Sequence, residues 1–194
     1  MKAEKRQVIE LKSYQREYTL FSLCGLNCGL CPMHHIDKPS SRCPGCGGEG
    51  FQKCQIVACA QNRGGIEYCY LCEEYPCQKY DGIDAFDSFI SHRNQLKDFE
   101  KAKTVGIDAY QAELKEKTEI LQELLKNYND GRKKTFFCTA VNLLELRDIK
   151  DVMKQITDEI KANDPIKEKA GIAVRLFQTM ADKRNIILKL NKKK

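Results

Sequence analysis

Residues 24–77 read CGLNCGLCPMHHIDKPSSRCPGCGGEGFQKCQIVACAQNRGGIEYCYLCEEYPC, and this stretch decides how the chain folds. Ten of the eleven cysteines of the 194-residue chain lie in it. They are Cys24, Cys28, Cys31, Cys43, Cys46, Cys54, Cys59, Cys69, Cys72 and Cys77. Three pairs are separated by only two residues: Cys28/Cys31, Cys43/Cys46 and Cys69/Cys72. Because a C-x-x-C turn can present two thiolates to one metal ion, the stretch predicts metal binding by these ten cysteines.

The cellular setting decides whether clustered cysteines are ligands or disulfides. Residues 1–6 read MKAEKR and do not resemble the start of a signal peptide, and no apolar run is long enough to span a membrane. We therefore expect a cytoplasmic protein without a membrane partner. Thiols stay reduced in the cytosol, which favours metal ligation over disulfide formation.

The segment of residues 24–80 is rich in glycine and carries four of the five prolines, a composition typical of loops and tight turns. Such a segment buries few apolar side chains and cannot by itself offset its conformational entropy. A structural zinc ion contributes about 10–16 kcal/mol, which is enough to hold it. We therefore expect chelation to unfold this segment before the rest of the chain.

Helical periodicity dominates the remainder of the chain. Apolar stripes predict helices from about residue 83 to 102, 107 to 128, 135 to 146, 148 to 160 and 165 to 185, with a short strand at 186–190. The fold class is thus mainly α with little β: an N-terminal zinc-knuckle-like module and a helical C-terminal domain. We expect an N-terminal helix or arm at 1–21, the metal module at 22–80, and the helical domain with its basic tail at 81–194.

The spacing suggests two tetrahedral sites and about two zinc ions. Cys28/Cys31 with Cys43/Cys46 would form one site, and Cys54/Cys59 with Cys69/Cys72 the other. Cys24 and Cys77 are then left over, although the division could shift at either end. Either two cysteines are not ligands, or sulfurs bridge metals, or a third site exists. His34 and His35 follow the first cluster and are alternative ligands, although a loop role is favoured for both.

Iron is the rival metal. Cys24, Cys28 and Cys31 have the C-x3-C-x2-C spacing of radical-SAM enzymes, whose three thiolates hold a [4Fe–4S] cluster. The strand–helix alternation of those enzymes does not follow the motif, and seven later cysteines would have no purpose. Two non-enzymatic [4Fe–4S] clusters, in a redox or sensor protein, remain the alternative to zinc.

A non-catalytic role is favoured over an enzymatic one. Asp84, Ser88 and His92 would share one helical face, but groups along a helix do not surround a substrate, and a solvated face is the preferred interpretation. A zinc site with an open coordination position is a weaker alternative. We expect an unknown protein partner, contacted through exposed tyrosines: Tyr68, Tyr70 and Tyr75.

The net charge of +6 gives only weak support to a nucleic-acid partner. Six basic residues and no acidic ones lie between Lys183 and Lys194, so the excess is confined to the tail. A nucleic-acid-binding protein normally carries its basic residues on a folded face. A solvated tail is therefore the favoured interpretation.

The cysteine pattern resembles a family of small prokaryotic cysteine-rich proteins to which no function is assigned. The resemblance rests on Cys24-Gly-Leu-x-Cys28-Gly-x-Cys31-Pro32, Cys43-x-Gly-Cys46, Cys54-x4-Cys59 and Cys69-x2-Cys72-x2-Tyr75-Pro76-Cys77. The helical part also resembles longer members. The resemblance implies cytosolic metal binding, with zinc as the usual expectation, and brings no reaction, substrate or partner.

Overall fold

A computed structural model describes residues 14–49 and 54–192 of the chain, and this part is mainly α-helical, as the sequence predicts. No β-strand occurs within those two ranges. The helices are α1 (Gln55–Asn62), α2 (Gln95–Val105), α3 (Ile107–Asn127), α4 (Lys134–Leu143), α5 (Leu146–Glu159) and α6 (Ile166–Lys183). No helix of the described part is long and apolar enough to cross a membrane.

Helices α2 to α6 form a bundle. α3 packs between α2 and α4, α6 packs against α4 and α5, and Gly106, with φ of 88°, makes the sharp turn from α2 to α3. Each helix turns an apolar stripe inward, so that Leu121, Phe137 and Phe177 are completely buried. The long helical stripes predicted from the sequence therefore correspond to the core of this bundle.

The cysteine-rich segment shares this core. Phe21, just before the first cysteine, lies with its ring centre 5.5 Å from Phe99 of α2, 4.6 Å from Tyr110 of α3 and 5.4 Å from Tyr68. Leu30 is also fully buried in the same cluster. The bundle and the cysteine-rich segment thus bury apolar surface against each other.

A buried polar network also joins the two parts. The side-chain amide of Asn27 donates to Asp98 in α2 at 2.8 Å and to Asn142 in α4 at 3.1 Å, and its carbonyl accepts from the Tyr110 hydroxyl at 2.9 Å. Burial raises the pKa of Asp98 to about 6, although the nearby Lys117 opposes the rise. Asn27 thereby fixes the loop between Cys24 and Cys28 on the bundle.

Several sequence predictions are wrong in detail. The helix expected from residue 83 begins only at Gln95, because Asp87 organises residues 83–94 as turns: it accepts hydrogen bonds from the amides of His92 and Asn191. The chain near Asn191 is thereby tied down without forming the expected strand. The helix expected from residue 148 begins already at Leu146, so Asp148 lies in the first turn of α5, where it pairs with Arg184.

Two predicted elements of the N-terminal part fare differently. The helix predicted near the N-terminus falls largely on residues 1–13, outside the described residues, and its described end, residues 14–19, is not helical. Helix α1 lies inside the segment predicted to be loop. The sequence signal for it was the apolar group Ile56, Val57 and Ala60, of which Val57 and Ala60 are buried.

Candidate metal centre

Two of the three C-x-x-C pairs have nearly identical backbones. Each forms a 3-10 turn, Cys28–Leu30 and Cys69–Leu71, in which the amide of the second cysteine donates to the carbonyl of the first at 3.1 and 3.0 Å. The φ and ψ angles are −78° and 134° at Cys31 and −79° and 136° at Cys72. We call these two turns the first and second knuckle.

The pair Cys43/Cys46 is built differently and depends on Gly45. This glycine has φ of 89°, and a Cβ atom there would lie 2.4 Å from the Thr19 carbonyl oxygen. The close approach lets the Cys46 amide donate to that oxygen at 3.1 Å. Only glycine fits this position, because the backbone needs both a positive φ and room.

One set of thiols collects around Cys28. Its pKa is raised by burial and further by the neighbouring Cys46 and Cys24 thiols, whereas a hydrogen bond from the Cys46 amide lowers it. The Cys24 sulfur lies 3.1 Å from the Ser22 hydroxyl oxygen, and the Cys54 sulfur accepts from the Val57 amide at 3.3 Å. Such donors orient sulfurs and stabilise thiolate charge. Burial raises the pKa of Cys24, and the Cys54 thiol adds to the rise, which places Cys54 beside this group. We call Cys24, Cys28, Cys46 and Cys54 set 1.

A buried arginine accompanies set 1. Arg16 donates to the Phe21 carbonyl at 2.7 Å, pairs with Glu67 at 2.8 Å and lies over the Tyr68 ring. Burial raises the pKa of the Cys46 thiol to about 11, against the effect of the Arg16 charge, which lowers it. The guanidinium is therefore placed to favour the thiolate form of this cysteine.

A second set of thiols surrounds one cavity of about 340 Å³. Its lining includes four cysteines, which we call set 2: Cys59, Cys69, Cys72 and Cys77. Burial raises the pKa of Cys69 to about 12, and a hydrogen bond with Tyr80 opposes this. Tyr80 also donates to the Cys24 carbonyl at 3.2 Å, so it joins the two sets.

An arginine accompanies set 2 as well. Arg63 lines the cavity, and its pKa is raised by hydrogen bonds, first to Glu74 and then to the Cys59 thiol. The Arg63–Glu74 distance is 2.6 Å. Each set of four thiols thus has one guanidinium beside a sulfur.

Cys31 and Cys43 lie outside both sets. Burial raises the pKa of Cys31, and the neighbouring Cys43 thiol adds to the rise. Cys138, buried in α4, also has its pKa raised to about 12 by burial and then by Cys31. The Cys31 thiol also raises the pKa of Cys28, its partner in the first knuckle. The pairing of Cys28/Cys31 with Cys43/Cys46 that the spacing suggests therefore stays a prediction.

The two histidines of this region bind backbone carbonyls. His34 Nδ1 lies 2.9 Å from the Cys43 oxygen, and His35 Nε2 lies 2.7 Å from the Gly29 oxygen. Since a carbonyl only accepts, these ring nitrogens carry the proton. Both rings thus hold the loop together at these positions, and their other nitrogens remain acceptors.

The tyrosines expected at the surface are packed instead. Tyr68 is buried, whereas Tyr70 and Tyr75 are half-buried. Tyr70 stacks on Tyr68 with ring centres 5.5 Å apart, and the Tyr75 ring stands at 80° to that of Phe99. The expectation of an exposed contact surface is wrong for Tyr68, because the Tyr68 ring packs against Phe21 in the shared core.

Ser88 and His92 are joined, but not as members of one helix. His92 Nε2 lies 2.9 Å from the Ser88 hydroxyl oxygen, and its Nδ1 lies 3.1 Å from the Ile83 carbonyl oxygen. The Ile83 carbonyl, and not the Asp84 carboxylate, is thus the partner of His92 Nδ1. The contact closes the turn between residues 83 and 92.

Within residues 14–49 and 54–192, no three His, Cys, Asp or Glu side chains stand in an arrangement ready to hold a metal ion.

Comparison with known proteins identifies the cysteine-rich segment. Residues 20–82 match the model of a family described as Protein of unknown function (DUF3795). The resemblance to a cysteine-rich family of unknown function is confirmed for this segment. No curated protein and no solved structure matches the chain.

Proposed function

We propose that this chain is a metal-binding protein with two four-thiolate sites, formed by set 1 and set 2. Each site takes one zinc ion, about two per chain. The ion draws the sulfurs of its set together, and the bound metal stabilises the cysteine-rich segment. Because all four positions around each ion are taken by thiolates, the sites are structural and leave no open position for catalysis.

The observation that carries the proposal is the cavity of set 2. Its four cysteines come from α1, the second knuckle and the chain beyond it, yet they line one space. Cysteines without a common role would not need to converge from three places in the chain. Four thiol donors match the preference of zinc for sulfur ligands in tetrahedral sites.

The charge around the sets supports the same conclusion. Four thiolates on one zinc ion leave an excess of negative charge, which is costly to bury. Arg16 beside set 1 and Arg63 beside set 2 supply positive charge next to a sulfur. Their positions suit anionic metal sites better than neutral thiols.

As a cellular role we propose a cytoplasmic module for protein interaction or regulation. The cytoplasm keeps thiols reduced and available to metal. The metal then sets the shape of the surface that the segment offers to a partner.

The proposal is tested by metal analysis of the full chain purified under anaerobic, reducing conditions. We expect about two zinc ions per chain and no visible absorption. Cys72→Ser, in set 2, should lower the content to about one ion while set 1 keeps its zinc. Cys138→Ser, a buried cysteine outside both sets, should retain both.

Other results would overturn the zinc assignment. Iron with sulfide and a broad visible absorption band would show [4Fe–4S] clusters, and the sets would then be cluster ligands in a redox or sensor protein. A chain that remains free of metal after incubation with zinc or with iron and sulfide would refute both readings. Equal losses in Cys72→Ser and Cys138→Ser would refute the assignment of set 2.

A further inference from the structure

The two knuckles share a backbone but place their leucines in opposite environments. Leu30, the third residue of the first knuckle, is fully buried where that turn contacts α3 and α4. Leu71 is its counterpart in the second knuckle, and its side chain is 57% exposed. The same kind of turn therefore buries its leucine in the bundle in the first knuckle and exposes its leucine to solvent in the second.

The residue before each leucine explains the difference. In the first knuckle this is Gly29, and a Cβ atom there would lie 3.0 Å from the Thr118 hydroxyl oxygen, so a larger residue would push against α3. In the second knuckle it is Tyr70, which stacks on Tyr68 and meets the Phe99 edge at 5.0 Å. The second knuckle is thus seated through Tyr70, and Leu71 points away.

The surroundings of Leu71 are acidic. Glu73 and Glu74 follow after Cys72 and are exposed, and Glu74 also pairs with Arg63. An apolar tip beside carboxylates fits an apolar groove beside cationic side chains.

Such a groove lies on the same molecule. Residues 85–86, 187 and 189–192 line a space of about 780 Å³. Its apolar side chains include Phe86, 48% exposed, and Ile187, 70% exposed, and Lys189 and Lys192 lie at its edge. We call this the tail groove.

The tail groove is held in place by backbone contacts. Arg93 donates to the carbonyls of Ile187 and Lys189 at 2.8 and 2.9 Å. The Asp87 carboxylate accepts from the Asn191 amide at 2.7 Å. The groove therefore has a defined shape to which a tip can dock.

We propose that the Leu71 tip of one copy docks into the tail groove of a second copy, with Glu73 and Glu74 facing Lys189 and Lys192. The interface joins two different surfaces, so association is head-to-tail and ends in a ring or an open chain. One tip buries little area, which makes the association weak and reversible. The docking uses no cysteine side chain, although Leu71 lies between Cys69 and Cys72 of set 2.

Sedimentation velocity of the reduced full chain, over a range of protein concentrations, tests this self-association. The weight-average mass should rise above that of the monomer with increasing concentration, and less so at high salt, which screens the charge pairing. Leu71→Ser and Ile187→Ser should each remain monomeric. Leu96 lies in α2 and is 40% exposed. Leu96→Ser should therefore associate like the parent chain.

Mixing the two variants distinguishes the proposed geometry. Leu71→Ser keeps an intact groove and Ile187→Ser an intact tip, so an equimolar mixture should form dimers but nothing larger. A parent chain that is monomeric at every concentration overturns the proposal. Association of Ile187→Ser alone, or no dimer in the mixture, would equally refute head-to-tail docking.

Discussion

Asn27 and Asp98 are joined by a hydrogen bond of 2.8 Å between the Asn27 side-chain amide and the Asp98 carboxylate, although they lie 71 residues apart. Asn27 belongs to the loop between the first two cysteines, and Asp98 belongs to α2. The bond is buried, and Tyr110 and Asn142 bind the same side chain. The cysteine-rich loop and the bundle are thus coupled through one amide.

Asn27→Ala should destabilise the fold by about 3 kcal/mol, because it removes three buried hydrogen bonds at once. The free energy of unfolding by urea measures the loss. Asn62→Ala, at the exposed end of α1, should change it by less than about 0.5 kcal/mol. Equal effects of the two substitutions would show that the hydrogen bonds of Asn27 do not contribute to the free energy of unfolding.

Asp98 should make stability depend on pH. Its pKa in the folded protein is raised to about 6 by burial, whereas the ordinary value is 3.8, so the folded state holds a proton that the unfolded state has already lost. The contribution of Asp98 to the free energy of unfolding is fully present below about pH 4 and is lost as the pH rises through about 6. The loss amounts to about 3 kcal/mol.

Asp98→Asn should remove this dependence. Urea unfolding of both chains at a series of pH values, at one fixed metal concentration, isolates the difference, since all other groups are shared. The stability of the variant relative to the parent should rise between about pH 4 and 6 and then stay constant. Parallel curves would show that Asp98 has an ordinary pKa.

Gly29→Ala should cost about 1–3 kcal/mol, because its Cβ would lie 3.0 Å from the Thr118 oxygen and 3.2 Å from the Leu20 Cβ atom. Gly171→Ala is the matched control: it lies in α6 with nothing within 4 Å of the added atom. It should stabilise the helix by up to about 1 kcal/mol. Thermal unfolding measures both, and the same sign for both would contradict the packing argument.

Metal removal should unfold the bundle together with the cysteine-rich segment, contrary to what composition alone suggests. Phe21 and Leu30 would leave the core they share with α2 and α3, and the helices would lose that burial. Far-UV circular dichroism and thiol reactivity should therefore change together during titration with a chelator. A full helical signal after all thiols have become reactive would contradict this coupling.

The sequence was sufficient to predict the helical bundle, because apolar periodicity directly reflects which helix face is buried. The stripe from Ile107 to Leu125 becomes α3, and the apolar run after Thr135 becomes α4. The predicted helix boundaries are wrong where a side chain forms hydrogen bonds with backbone amides. Asp87 does so before α2, and its partner Asn191 lies 104 residues away, too far for local patterns to detect.

The same limit applies to the cysteines. Spacing shows which sulfurs share a turn, and both knuckles have that geometry. It does not show which turns meet, because this depends on distant contacts such as Gly45 against Thr19 and Tyr80 against Cys24. Cys59 and Cys77 therefore appear together only in the folded chain.

Phe21 contacts Phe99 and Tyr110 across the boundary of the family segment, which ends at residue 82. The segment of residues 20–82, if expressed alone, would expose the rings of Phe21 and Tyr68 together with Leu30. A contiguous apolar surface of this kind promotes aggregation. The natural unit for expression, crystallisation or fusion to a reporter is therefore the cysteine-rich segment together with the whole bundle, α2 to α6, because Phe177 of α6 belongs to the same core.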